Sequence, residues 1–127
     1  MATPAPSPRP AHLLAGLLTL GGLMHFVKPK PYDAQIPASL PGSARTWTYA
    51  SGVAEIGVAA AIAAPRTRRL GGLAAALLFV AIFPANVKMA VDAQRKQAPA
   101  KFRAITLGRL PLQWPLVAWS LKVRDSA

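Results

Sequence analysis

The chain contains no cysteine. That excludes a disulfide framework, a dithiol redox centre and thiolate metal sites, and leaves the compartment open. Acids are almost as scarce: Asp33, Glu55, Asp92 and Asp125 stand against 15 lysines and arginines, for a formal net charge of +11. The only histidines are His12 and His25. On one helix these two lie about 20 Å apart, too far to share a haem iron. One histidine and one acid beside an arginine do not make a cation cage, so neither metal nor haem is expected. Charged residues make up only 15% of the chain, where a soluble domain carries about 25%.

What fills the space is apolar: 53% of the 127 residues are hydrophobic. A nucleic-acid binder gathers its basic residues on one amphipathic face. Here they sit mostly between apolar runs, the pattern of a membrane protein with basic loops. The expected partner is therefore the lipid bilayer and not a nucleic acid.

Met1–Pro10, "MATPAPSPRP", holds four prolines and no core-forming side chain, and reads as a disordered tail. Four apolar runs follow, over residues 11–27, 45–64, 70–91 and 103–123. The first lacks a small-x-small cleavage site and continues into "KPKPYD", so it reads as an uncleaved helix just long enough to span. Prolines 29, 31, 37 and 41 forbid a long helix between the first and second runs, and Ile36 and Leu40 are candidate interface anchors there. Pro65 ends the second run, before the basic turn "RTRR". Pro84 should kink the third, Asp92–Phe102 reads as a polar loop, and Pro111 and Pro115 interrupt the fourth. Nothing alternates as a strand would. The expected fold is all-α: a four-helix integral membrane bundle over residues 11–124. Gly16, Gly21, Gly22, Gly52, Gly57, Gly71 and Gly72 suit close helix contact in lipid. Trp47, Tyr49, Trp119 and Tyr32 read as interface anchors, and Lys88 as snorkelling.

An even helix number puts both termini on one side, side A. Side A carries Arg9, Arg66, Arg68, Arg69, Lys122 and Arg124; side B carries Lys28, Lys30, Arg45, Lys88, Arg95, Lys96, Lys101 and Arg103. The count does not settle orientation. The tight "RTRR" turn argues for side A in the cytoplasm and the long loop after the third run argues the reverse; the reading adopted is termini inside.

Within "SGVAEIGVAAAIAA" the single charge is Glu55, and a charge inside an apolar span costs a few kcal/mol. Four more polar side chains interrupt the runs: His25, Asn86, Arg109 and Gln113. Counted from the side-B helix ends, they lie at about 15 Å (Glu55), 9 Å (Arg109), 15 Å (Gln113), 8 Å (Asn86) and 3 Å (His25). All five fall in the side-B half. Thr106, Arg109, Gln113 and Ser120 form one stripe, and Thr48, Ser51, Gly52, Glu55 and Ala59 another. Both should face the bundle interior, with Arg109 pairing Glu55 inside a polar pocket open to side B. A buried pair of this kind also serves to fix helix register, but ionisable groups in a membrane are functional by default. His25 alone reads more readily as a hydrogen-bonded interfacial histidine than as a ligand. Pro84 and Pro111 free backbone carbonyls beside the layer, as a cavity lining tolerates.

"HFVKPKPYDAQIPASLP", "SGVAEIGVA", "FPANVKMAVD" and "LGRLPLQWPLVAW" resemble, in that order, the DoxX-like family over roughly residues 12–123. His25, Pro37, Glu55, Pro84, Asn86, Arg109, Pro111 and Gln113 carry the motifs. The resemblance implies a small four-helix protein of a bacterial plasma membrane. It further implies a non-catalytic subunit or scaffold beside an oxidoreductase in redox or sulfur homeostasis, with a quinone as one candidate ligand. A role in assembly or maturation of partner proteins is also open, as is a homo-oligomer. Without cysteine the chain cannot itself carry out thiol–disulfide chemistry. The competing expectation is a proton-coupled small-molecule transporter with one membrane acid, disfavoured by an arginine partner that would neutralise Glu55.

Overall fold

A computed structural model describes residues 7–36 and 38–127. Among them there are five helices and no strand: α1 (Arg9–Val27), α2 (Pro29–Asp33), α3 (Ala44–Ala63), α4 (Arg68–Arg95) and α5 (Ala100–Asp125). Most of the expected tail, and Pro37, lie outside the described residues.

The ends of the helices show which local signals won. α1 starts at Arg9, inside the expected tail, because a proline in the first helical turn loses no needed N–H and has its φ preset for the helix. The prolines after α1 permit only the short α2. Ser43 caps α3, its Oγ accepting from the Thr46 N–H at 3.2 Å. At the other end of α3 the basic turn has a structural task. Arg68 donates to the carbonyls of Ile62 (2.8 Å) and Ala63 (2.9 Å), and Thr67 donates to that of Ala61 (2.7 Å). These satisfy carbonyls that Pro65 prevents the helix from using.

The expected polar loop over 92–102 is mostly helical. α4 runs on through Asp92, which pairs with Lys88 one turn back at 2.7 Å. It ends at a Schellman turn: Gln97 takes φ 48°, its N–H meets Gln94 O at 3.2 Å, and the Ala98 N–H meets Ala93 O at 3.0 Å. The left-handed position is usually glycine, and a glutamine there hides the stop. Helix α4 continues through Pro84 and α5 through Pro111 and Pro115.

α1 packs on α3, α3 on α4 and α4 on α5, while the α1–α5 seam that closes the bundle is the loosest. Glycine sets the close approaches. A Cβ on Gly22 would fall 2.9 Å from Gly52 O, one on Gly71 would fall 2.7 Å from Ile62 N, and one on Gly72 would fall 2.7 Å from Arg124 N. Gly16 and Gly57 have open space around them and serve no such contact.

Apolar side chains lie both inside and outside the bundle. The core is built of Ala11, Leu14, Ala15, Leu18, Ala59, Ile62, Ala75, Phe79 and Val123, in the half that holds the termini. The other half buries Thr48, Asn86, Thr106 and Gln113. Large apolar side chains also face outward: Leu13, Leu20, Val53, Leu70, Leu77, Leu112 and Trp114 are each more than half exposed. Helices α1 and α4 are long and apolar enough to cross a membrane. α3 and α5, which carry Arg45 and Glu55, and Lys101, Arg103, Arg109, Lys122 and Arg124, do not reach that measure. Trp119, expected as an interface anchor, is partly buried and ties α5 to the start of α1 by donating to Pro10 O at 2.9 Å.

Candidate functional site

A cavity of about 160 Å³ lies in the half away from the termini, lined by Gly21 and His25 of α1, Tyr32, Gln35 and Ile36 of the connector, Thr48, Ser51 and Glu55 of α3, Ala85 and Asn86 of α4, and Arg109 of α5. Four of the five side chains expected in the polar layer line it. Gln113 stands behind Asn86: the Asn86 amide donates to Gln113 Oε1 at 3.0 Å, and Gln113 in turn donates to the carbonyl of Phe79, in the turn before Pro84. Gln113 therefore orients Asn86 and meets no ligand.

The expected Glu55–Arg109 pair does not form. Glu55 Oε2 lies 3.2 Å from His25 Nδ1, and no ion pair joins it to Arg109 among the described residues. Arg109 donates instead to Met89 Sδ at 3.7 Å, a weak acceptor. It is an exposed residue at the cavity's edge. The reason lies in how the helices are staggered. Depth counted from helix ends separates His25 and Glu55 by roughly 12 Å, yet their side chains touch. α3 therefore begins some turns beyond the end of α1, and its first turn stands beside α2. There Asp33 accepts from Thr48 Oγ1 at 2.6 Å and from Arg45 Nε at 2.9 Å.

Those bonds, Thr48 first, hold the Asp33 carboxyl below its ordinary range, while partial burial opposes them. Lys88, expected to snorkel, donates to Ala34 O at 3.1 Å and so fixes the connector to α4 as well. Tyr32 stacks on His25 with ring centroids 3.9 Å apart. Burial, then the charge of Glu55, pushes its phenol above the ordinary value of 10.0, so it stays protonated. Tyr32, Gln35, Ile36 and Thr48 together roof the cavity; the first three sit in a proline-broken stretch with no periodic signal to place them.

The cavity presents donors and acceptors, and one of its acceptors is buried and bare. His25 Nδ1 lies 2.7 Å from Gly21 O. A carbonyl only accepts, so Nδ1 carries a proton and donates to it. Glu55 Oε2 lies near Nδ1 but off its N–H direction, and is buried with no hydrogen-bond partner. The Gln35 amide nitrogen donates one of its two N–H groups to Pro31 O at 3.2 Å and the Asn86 nitrogen one of its two to Gln113, so each amide keeps one donor and its oxygen. Arg109 is the cation at the rim.

No curated protein and no solved structure matches the chain. Residues 14–124 match one family model, so the chain belongs to the family described as Domain of unknown function (DUF8561).

Proposed function

We propose that this is a multi-pass membrane protein, with all four long helices in the bilayer, that holds a small ligand in the cavity under α2 as a non-catalytic subunit or scaffold of a membrane redox complex. The membrane placement is supported by the outer surface, where large apolar side chains such as Leu13, Leu20, Leu70 and Leu77 are more than half exposed, which water would penalise and lipid would not. The ligand is carried by one observation, the buried Glu55 Oε2 with no hydrogen-bond partner beside a cavity. An unpaired buried polar atom costs about 1–3 kcal/mol, and a ligand that donates to it recovers that cost. The redox setting, an oxidoreductase partner, a quinone as candidate ligand and a bacterial plasma membrane with cytoplasmic termini rest on the resemblance to the DoxX-like family.

A second reading gains from the pairing. Glu55 has a titratable neighbour, His25, rather than a fixed arginine cation, and an acid so placed remains available to carry a proton. Proton-coupled transport is therefore the alternative. Purification in mild detergent, with mass spectrometry of what remains bound, separates the two. A co-purifying oxidoreductase or small molecule that is lost in Glu55→Gln supports the subunit reading. A lone chain that exchanges protons for a cationic solute supports the transporter.

A further inference from the structure

A second, largely apolar crevice of about 230 Å³ runs along the loose α1–α5 seam, lined by Met24, Met89, Phe102 and Ile105 with Lys28 and Thr106 among them, and it shares Tyr32, Gln35 and Arg109 with the polar cavity. The two adjoin at these shared residues. From the seam inward a molecule meets a largely apolar wall, then Lys28 and Arg109, neither with a carboxylate partner among the described residues, then a polar chamber in which Glu55 Oε2 is buried and bare and the Asn86 and Gln35 amide oxygens also accept. The matching ligand has an apolar tail, an anion next to it, and a multiple hydrogen-bond donor at its far end.

On this basis we propose that the site binds a phospholipid with a primary-ammonium head, of the ethanolamine type, entering laterally through the α1–α5 seam. Its phosphate sits at Arg109, its acyl chain lies along Met24, Met89, Phe102 and Ile105, and its ammonium places N–H donors on Glu55 and Asn86. An ammonium has three donors and no acceptor, which suits the bare Glu55 Oε2 and the amide oxygens beside it. A quaternary choline head has no N–H and leaves Glu55 Oε2 unpaired. A glycerol head brings no positive charge to the carboxylate. The inference rests on the reading of this cavity as a ligand site and specifies its occupant.

The test uses the full chain, reconstituted in nanodiscs with equal ethanolamine, choline and glycerol phospholipids, then washed in detergent and analysed by native mass spectrometry. Ethanolamine lipid should be retained about tenfold over choline lipid, the scale of one charge-assisted hydrogen bond. Glu55→Gln should bring the ratio to about one, and Arg109→Met should lower retention of phospholipids generally. The lipid comparison is made on the unmodified chain, so it stands even if a variant fails to fold. Equal retention of the three lipids overturns the proposal, and so does displacement by free phosphoethanolamine at matched concentration, which assigns the site to a soluble molecule. A different bound molecule that depends on Glu55 overturns the lipid while leaving the ligand pocket intact. If nothing retained responds to Glu55→Gln, both readings fall.

Discussion

Nδ1 of His25 lies 3.2 Å from Glu55 Oε2 yet aims its proton at the carbonyl of Gly21, 2.7 Å away on its own helix. The ring is held by backbone, and the carboxylate is held beside it without being satisfied by it. Glu55 is thereby kept in place and left able to accept from something else.

Coupling between mutations should report that arrangement. In double-mutant cycles for unfolding, Glu55→Gln should couple to His25→Ala by about 0.5–3 kcal/mol, as touching residues do, and more weakly to Arg109→Met. A larger coupling to Arg109 than to His25 would restore the direct pair that the sequence suggests.

Loss of the Asn86–Gln113 bond should destabilise the bundle without emptying the site of charge. Gln113→Leu leaves the buried Asn86 amide without its acceptor and should cost about 1–3 kcal/mol. Thermal melting in detergent measures it, and a Tm equal to the parent's would show that Asn86 finds another partner.

Glycine-to-alanine changes should sort by contact. At Gly72 the new Cβ meets backbone of α5 at 2.7 Å, so the helices must separate, costing about 1–3 kcal/mol. At Gly57 there is open space, and alanine should be neutral or stabilise by up to about 1 kcal/mol. Paired melting curves of the two variants decide it.

The connector should loosen in acid. Asp33 titrates below its ordinary value of 3.8 because Thr48 and then Arg45 bond its ionised form. A depressed carboxyl gives stability that is present above the unfolded-state value and is lost as pH falls through the folded-state one. Protection of the amides at residues 29–36, taken relative to the intrinsic exchange rate at each pH, should therefore fall as the pH drops below about 4, and Thr48→Val should shrink that loss by bringing the folded-state value back toward the unfolded one. A loss of protection of the same size in Thr48→Val would remove Thr48 from the latch.

Topology is directly accessible because the chain has no cysteine of its own. Ser7→Cys and Ser126→Cys should be labelled by an impermeant thiol reagent from the same side of sealed vesicles. Labelling from opposite sides would rule out an even number of spans.

By itself the sequence determined the four long helices, the close approaches at Gly22, Gly52, Gly71 and Gly72, and the four polar side chains that line the cavity. These depend on composition and on the 3.6-residue repeat, which are local properties. It also marked Glu55, because one charge in an apolar run is conspicuous whatever surrounds it. The end of α4 was illegible because glutamine takes the left-handed position where glycine would announce the stop. Only the tertiary structure decided which groups meet. Counting from helix ends assumes that all ends lie in one plane, and the stagger of α3 past α1 breaks that assumption. That stagger gives Glu55 to His25, leaves Arg109 at the seam, and folds Tyr32 and Gln35 over the cavity. Side-chain partners are fixed by the relative height and rotation of whole helices, and no single helix carries that information in its own sequence.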